Sequence, residues 1–336
     1  MPAVSKTETW DAAWTLTDRV RKDRLTDNIT DAYPTLDRFK KSDILEIESG
    51  GKEIQEDLMY GLNTLQWFDG FDAVDNDAVD GITAAFYTWA YGDVPVTISM
   101  QEELEGRVSS SAMKIMAAKQ KQSRLTMLDG VNAAIHGAQS GKAPLGLQDV
   151  VSESGATVGG ISDSSNTWWA NKRLDFNSDG YTTAVTKVDD RHHIFMAMNF
   201  MWRQVAEGNE HPNLIITTPY ILAKIEEIFE GTGYGRYTIG EGAKPGVDGS
   251  DPTFKGVDII GDNDCAGDGS GNEDTMYMLN TNFLKFKIQK GMNFKKTPFR
   301  EPTNQFAQVA YVLLACQLTT NNRRRQGVIH DIVDGT

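Results

Sequence analysis

The chain is poor in the residues that build reactive or cross-linked sites. Only two of its 336 residues are cysteine, Cys265 in the polar run GDNDCAGDGSGNED and Cys316 in the apolar run YVLLACQL. Surroundings so different argue against a bridge and for one loop thiol and one buried thiol. The five histidines form no triad. His192 and His193 are neighbours, so on a helix they point to different faces, and no HExxH or Cys–His spacing surrounds them. No GxSxG nucleophile elbow occurs. The run GAQSGK, residues 137–142, is one residue short of a phosphate loop, has Ala143 where Ser or Thr is needed, and follows a helical pattern. Two Asp-rich runs, DGFDAVDNDAVDG and GDNDCAGDGSGNED, have the composition of calcium loops but miss the spacing. With Asp75 as position one of a loop, Val79 stands at position five, and with Asp264 as position one, Ala266 stands at position three. The expectation is therefore no enzyme, no cofactor and no metal.

Long apolar runs are also lacking. None approaches the roughly 18 residues of a membrane helix, and the first residues, MPAVSKTETWDAAWTLTDRVRKDR, have no apolar centre of the secretory kind. The expectation is a soluble protein made in a cytoplasm, with no membrane partner. Positive charge is in deficit, 33 basic against 47 acidic side chains, net −14. Such a chain lacks the dense basic face that coats duplex DNA, though it can lie near nucleic acid without adhering.

What is present is ordinary globular composition, 40% hydrophobic and 24% charged, enough for one large irregular domain or two smaller ones. Charge and pattern are uneven along it. Residues 1–41 are polar, dotted with lone apolar side chains that include Trp10 and Trp14. Such a segment buries little within itself and is expected to lie along another surface. Residues 42–91 hold eleven acidic residues against the single Lys52. ILEIES and LNTLQWF predict strands there, and the whole reads as an acidic hairpin arm in solvent or against a basic partner.

A helix is predicted over 100–138, its apolar stripe running through Leu104, Val108, Ile115, Ala118, Leu125, Leu128 and Ile135. Glutamates at its start suit the helix dipole, and Lys114, Lys119, Lys121 and Arg124 follow. Residues 139–186 are loop-rich and end in Trp168 and Trp169. VDDRHHIFMAMNFMWRQVAEG reads as a helix. PNLIITTPYILAKIEEIFEG reads as strand, proline turn and helix, a small α/β unit, and KGVDIIGD as a strand. In FLKFKIQ, alternation predicts one wet face carrying Lys285 and Lys287. QFAQVAYVLLACQLTT is the expected central strand, followed by Arg323, Arg324 and Arg325.

The order of these parts resembles the major capsid proteins of tailed bacteriophages, the fold named after phage Hong Kong 97. The strings that carry it are GGKEIQEDLMYGLNT, DGITAAFYTWAYGDVPVTIS, the long helix, GLQDVV…GGISDSSNTWWANK and PTNQFAQVAYVLLACQLTTNNRRRQGVI. The resemblance covers nearly the whole chain. It implies an α+β fold with an N-terminal arm (1–41), an E-loop hairpin (42–91), a peripheral domain with a spine helix (92–145), an axial α/β domain (146–274) and C-terminal strands that complete the peripheral domain (275–336).

It also implies pentamers and hexamers of this chain closing into an icosahedral shell around double-stranded DNA, assembled in the host cytoplasm. A separate scaffolding protein, or an already matured chain, is implied, with portal and decoration proteins as further partners. On this reading the inter-subunit contacts would be Trp10, Trp14, Glu53, Glu56, Asp57, Lys114, Lys119, Lys121, Arg124, Trp168, Trp169, Arg323, Arg324 and Arg325. The alternatives are an encapsulin-like nanocompartment, a soluble α/β enzyme with an acidic cap, and a tail or decoration protein.

Overall fold

The longest apolar run becomes the strand around which half of the molecule is built. The computed structural model describes residues 33–42, 44–73, 79–105, 109–176, 190–231, 252–265, 274–303 and 305–332. Helix α1 (Pro34–Lys41) comes first, its proline in the first turn, where a missing N–H leaves no hydrogen bond unmade. Strand β1 (Leu45–Glu48) precedes an antiparallel hairpin of β2 (Glu53–Met59) and β3 (Ile82–Thr88), which leads into β4 (Ala90–Ser99). Helices α2 (Met100–Glu105), α3 (Ser109–His136) and α4 (Leu147–Val150) follow. A two-stranded ribbon, β5 (Thr157–Val158) and β6 (Ile161–Ser162), then leads to β7 (Lys172–Asp175). Next come α5 (Asp190–Val205), β8 (Leu214–Thr217), α6 (Pro219–Gly231), β9 (Thr253–Phe254) and β10 (Val257–Gly261). The last elements are β11 (Asp274–Leu279), β12 (Leu284–Gln289), β13 (Lys295–Lys296), β14 (Ala307–Thr320) and β15 (Gly327–Ile332).

Two sheets organise these elements. In the five-stranded sheet β14 is central: β4 runs antiparallel along one edge, from Ala307 opposite Ser99 to Cys316 opposite Ala90. β13 and then β12 line its other edge, and β1 joins β12 in parallel. The six-stranded sheet has the order β7-β15-β11-β8-β10-β9. Its strands are apolar on both faces, and strand periodicity sends alternate residues to different cores. Ile215, Ile259, Met276, Met278 and Ile329 pack under α5 and α6, against Met198, Met201, Val205, Ile221 and Ile225. Leu214, Ile216, Ile260, Tyr277, Leu279 and Val328 point the other way. There they join the core of the five-stranded sheet, with Phe39, Ile98, Met116, Ile135, Leu314 and Leu318. One core thus runs through both sheets. The fit under α5 is tight at Gly327, where a Cβ would stand 2.6 Å from Met201 Sδ.

The chain reaches this arrangement by crossing between the sheets. The segment 275–336, expected to complete only the sheet beside the long helix, divides. β12, β13 and β14 enter the five-stranded sheet, while β11 and β15 enter the six-stranded one. β1 likewise leaves the hairpin arm and pairs with β12. LNTLQWF forms no strand, because residues 62–68 have no partner strand among the described residues and lie largely exposed.

The long helix also differs from its apolar reading. Among the described side chains of α3 the buried positions are Met116, Gln120, Ser123, Met127, Asn132, Ile135 and His136. Of the four described members of the expected stripe, Ile135 is buried, Leu125 and Leu128 are half-buried and Ala118 is exposed. The side chains of Leu104, Val108 and Ile115 lie outside the described residues. The buried face keeps helical spacing but is half polar, and Ser123, Asn132 and His136 each find a partner. Ser123 Oγ donates to Lys119 O at 2.9 Å, and Asn132 Nδ2 donates to Asp262 Oδ1 at 3.0 Å.

Asp262, just after β10, is the centre of a buried junction. Thr35 Oγ1 of α1 donates to its Oδ2 at 2.7 Å, and His136 Nε2 lies 3.4 Å from the same oxygen. Burial alone would raise the carboxyl's proton affinity. The contacts with His136, Thr35 and the Asp264 amide outweigh it and hold the group well below the usual carboxylate range. A depressed folded-state value means that stabilisation is complete above the unfolded value of about 4 and fades as pH falls below it. Asp262→Ala is therefore expected to lose roughly 1–3 kcal/mol at neutral pH. The gap to the unsubstituted protein should narrow steadily below about pH 4, as read from urea midpoints at pH 7, 4 and 3.

Candidate assembly surfaces

The β2–β3 hairpin is long and narrow, so its root must be held by something other than its own two strands. It is fastened to the end of β14 by three contacts and to β12 by a fourth. Tyr87 Oη donates to Thr320 O at 2.8 Å and Gln317 Nε2 donates to Thr88 O at 2.6 Å. Thr319 Oγ1 donates to Glu56 Oε1 at 3.0 Å, and Lys287 Nζ lies 2.8 Å from the same oxygen. Lys287 also reaches Glu48 at 3.0 Å. It was expected on a wet face and is instead buried between two carboxylates. Burial lowers its proton affinity and the two glutamates raise it by more, so the net direction is up.

A second fastening uses the loop that ends in two tryptophans. Trp169 is buried with Ile54, Leu58, Ala85, Tyr87 and Val158, and its Nε1 donates to Val158 O at 3.1 Å. Trp168 stacks on Tyr60 of the hairpin, ring centroids 4.9 Å apart. Phe86 N donates to Gly159 O at 3.1 Å. Gly159 has φ +62, and a Cβ there would stand 2.6 Å from Ala85 Cβ, so the two backbones meet this closely only with glycine. Both tryptophans thus dock the hairpin onto the loop within one chain.

The loop is itself pinned by Arg323, whose side chain is fully buried. Its Nε donates to Val150 O at 2.8 Å, and its Nη2 to Asn171 Oδ1 at 3.1 Å and Ser152 Oγ at 3.2 Å. Asp163 lies 3.8 Å away and also pairs with Arg173. The three arginines, read as one basic group, therefore part company. Arg323 is internal, Arg325 pairs with Glu207 at 3.2 Å, and Arg324 is exposed.

The remaining expected contacts divide similarly. Glu53 and Asp57 are exposed on the hairpin, whereas Glu56 faces Lys287. Lys119 bonds Thr97 O at 2.8 Å and Glu102 at 2.9 Å, so its charge is engaged within the chain. Arg124 lies over the Phe294 ring, and Lys121 is exposed. Trp10, Trp14 and the side chains of Lys114, His192 and His193 lie outside the described residues. In the run GAQSGK, the Gln139 amide that a phosphate would need donates to Asp149 Oδ2 at 2.6 Å. The second Asp-rich run spends Asp262 and Asp264 on Asn132. The contacts missed in the sequence are Tyr60, Lys287 and Gln317, polar or half-apolar residues whose partners lie far along the chain.

At the far end of the hairpin the surface changes character. Leu62, Leu65, Trp67, Phe68 and Phe71 are all exposed, Trp67 to 90% and Phe71 completely. Grouped apolar exposure of this kind marks an interaction surface, whereas scattered singles do not.

Trp168→Ala removes one stacked pair, about 0.5–1.5 kcal/mol, and is expected to speed amide hydrogen exchange in β2 and β3 while leaving β14 protected. Trp169→Ala opens the buried cluster and is expected to cost about 3–5 kcal/mol in global denaturation.

No known family model matches the sequence, and no curated protein matches it. Solved structures do match in shape. The capsid asymmetric unit of cyanophage A-1(L) superposes with a TM-score of 0.62 at 16% identity, covering 93% of this chain and 96% of that one. The capsid of a native GTA particle gives 0.54 at 9% identity, covering 86% and 88%. A structure of Mycobacterium phage Bobi gives 0.53 at 9%, covering 88% and 90%. Shared elements over so much of both chains are a shared fold, and this chain has the α+β capsid fold of tailed phages, the Hong Kong 97-like fold.

Proposed function

We propose that this chain is the major capsid protein of a tailed double-stranded DNA bacteriophage, self-assembling as pentamers and hexamers into an icosahedral shell around the genome. The observation that carries the reading is the superposition on a cyanophage capsid subunit over 93% of this chain and 96% of that one. The exposed apolar tip of the hairpin supports it, because surface of this kind is covered when copies associate.

In this assignment the hairpin is the E-loop and α3 is the spine helix. The five-stranded sheet is the peripheral domain, and the six-stranded sheet with α5 and α6 is the axial domain. A scaffolding protein, a portal and a decoration protein are its further proposed partners, and packaged DNA lies near it without specific contacts. The charge of −14 fits DNA that must slide past the wall instead of adhering to it. Its place is the virion capsid, reached after assembly in the host cytoplasm.

The test is expression of the full chain, alone and with scaffolding partners, followed by sedimentation and negative-stain microscopy. Closed shells tens of nanometres across, or discrete pentamers and hexamers, are expected. A monomer that never associates, even with partners or crowding, overturns the proposal.

A further inference from the structure

The last strand carries one residue more than its neighbour can pair. β11 steps two residues, from Asp274 to Met276, where β15 steps three, from Ile332 to Ile329. The extra residue makes a bulge in β15. Its effect shows in the core. Ile329 and Ile332 both pack under α5 and α6, although a regular strand turns residues three apart to opposite faces. Asp331 absorbs the mismatch with φ +53, a left-handed backbone that Asp and Asn accept more readily than other side chains. His330 and Asp331 are thereby both turned away from that core. The neighbouring β7 runs parallel, with Asp175 opposite His330. Leu174 and Phe176 enter the same core, so Asp175 faces away from it too.

Three half-buried side chains meet there. One ligand atom each from Asp175, His330 and Asp331 all lie within 4.8 Å of one another. Oxygens bound to calcium at about 2.3–2.6 Å stand no more than about 5 Å apart, so this spacing suits one shared ion. His330 Nδ1 donates to Asp331 Oδ2 at 3.0 Å, which orients that carboxylate. The sequence carries an independent sign of a hard cation at the same residue. Asp175 opens the run DFNSDG, residues 175–180, the D-x-N-x-D-G spacing with which calcium loops begin. The twelfth position of such a loop needs a carboxylate, and here it is Thr186. Asp331 of β15 stands beside Asp175 and supplies the missing group. Residues 177–189 lie outside the described residues, and the site is built on Asp175, His330 and Asp331 alone.

We propose, against the expectation of no metal, that Asp175 and Asp331 bind a divalent cation, calcium by preference, with His330 as the residue that positions Asp331. Carboxylates are hard oxygen donors of the kind calcium takes, and the imidazole is spent on its hydrogen bond. Two carboxylates this close repel each other, and a cation between them removes that cost. The ion ties β7, the edge strand of the six-stranded sheet, to β15, two segments far apart in the chain. A clip that closes so long a loop stabilises the sheet edge. Half-buried, with water completing the ion's shell, the site belongs to the weak range of calcium affinities, Kd about 10⁻⁴–10⁻³ M. All three residues belong to one chain, so the site is complete whether or not copies assemble.

The test is equilibrium dialysis of the full chain, stripped by chelator, against calcium chloride, with melting followed in calcium and in chelator. Uptake of about one calcium per chain is expected, with Tm raised by about 3–5 °C at a hundredfold excess over Kd. Asp331→Asn keeps a side chain at ease at φ +53, so it is expected to melt like the unsubstituted chain in chelator. It should nevertheless lose at least about tenfold in calcium affinity, as should Asp175→Asn. His330→Ala is expected to weaken binding about tenfold, and His330→Gln, which keeps a donor, to restore most of it. No saturable uptake by the unsubstituted chain up to about 10 mM calcium overturns the proposal. So does uptake that is unchanged in both aspartate variants. Zinc bound in preference to calcium, and lost in His330→Gln, overturns both the hard cation and the positioning role of His330.

Discussion

A guanidinium is expensive to take out of water, and a protein keeps one buried only where its donors are met. Arg323 is such a case. It sits at the corner where β14 ends and β15 begins, so it stands between the two sheets. Burial pulls its proton affinity down to about 10 against the pull of Asp163, which leaves it charged at neutral pH. Its donors go mainly to the backbone and polar side chains of the loop between α4 and β7. That loop carries Trp168 and Trp169, and they hold the hairpin. The position of the exposed hairpin is thus referred, through a chain of short contacts, to a single cation at the meeting point of both sheets.

The same economy appears in the other buried charges. Lys287 joins β12 to the hairpin through Glu56, and Asp262 joins α1, α3 and the end of β10. Each lies where segments distant in sequence converge, and none lies in the middle of a regular element's apolar face. Apolar packing gives the molecule most of its stability, since each buried aliphatic side chain contributes about 1.5–3 kcal/mol before entropy is counted. It is non-directional, however. The buried ions are directional, and they sit where the relative placement of parts has to be fixed.

This division explains what could be read from the sequence. Strands β8, β10 and β14 and helices α5 and α6 announce themselves by apolar periodicity, and the order of elements was enough to suggest the fold. The polar residues that matter could not be found that way. Gln120, Ser123 and Asn132 look like a solvated helix face until the sheet and the Asp262 loop are placed against them. Lys287 alternates as a wet-face residue should, and only the hairpin folding back over β12 turns that face inward. Arg323 shares its local sequence with two arginines of ordinary exposure. For Asn132, Lys287 and Arg323 the partner is a hundred or more residues away, and nothing local marks it. The tip was misread for the opposite reason: Leu62 to Phe68 has strand composition but no neighbouring strand to pair with.

The separation of those partners has a consequence for the order of synthesis. Tyr87 bonds Thr320, 233 residues further along, and Glu56 bonds Thr319, 263 residues further along. A ribosome delivers the hairpin with its aromatic tip early and the anchors for its root among the last strands. Until β14 emerges, the arm has nothing to be held against and no defined direction. Contacts of such long range are also slow to form once the chain is free. A partly made subunit therefore cannot present its arm in the geometry that a finished one uses, and premature association on the polysome is disfavoured by topology alone.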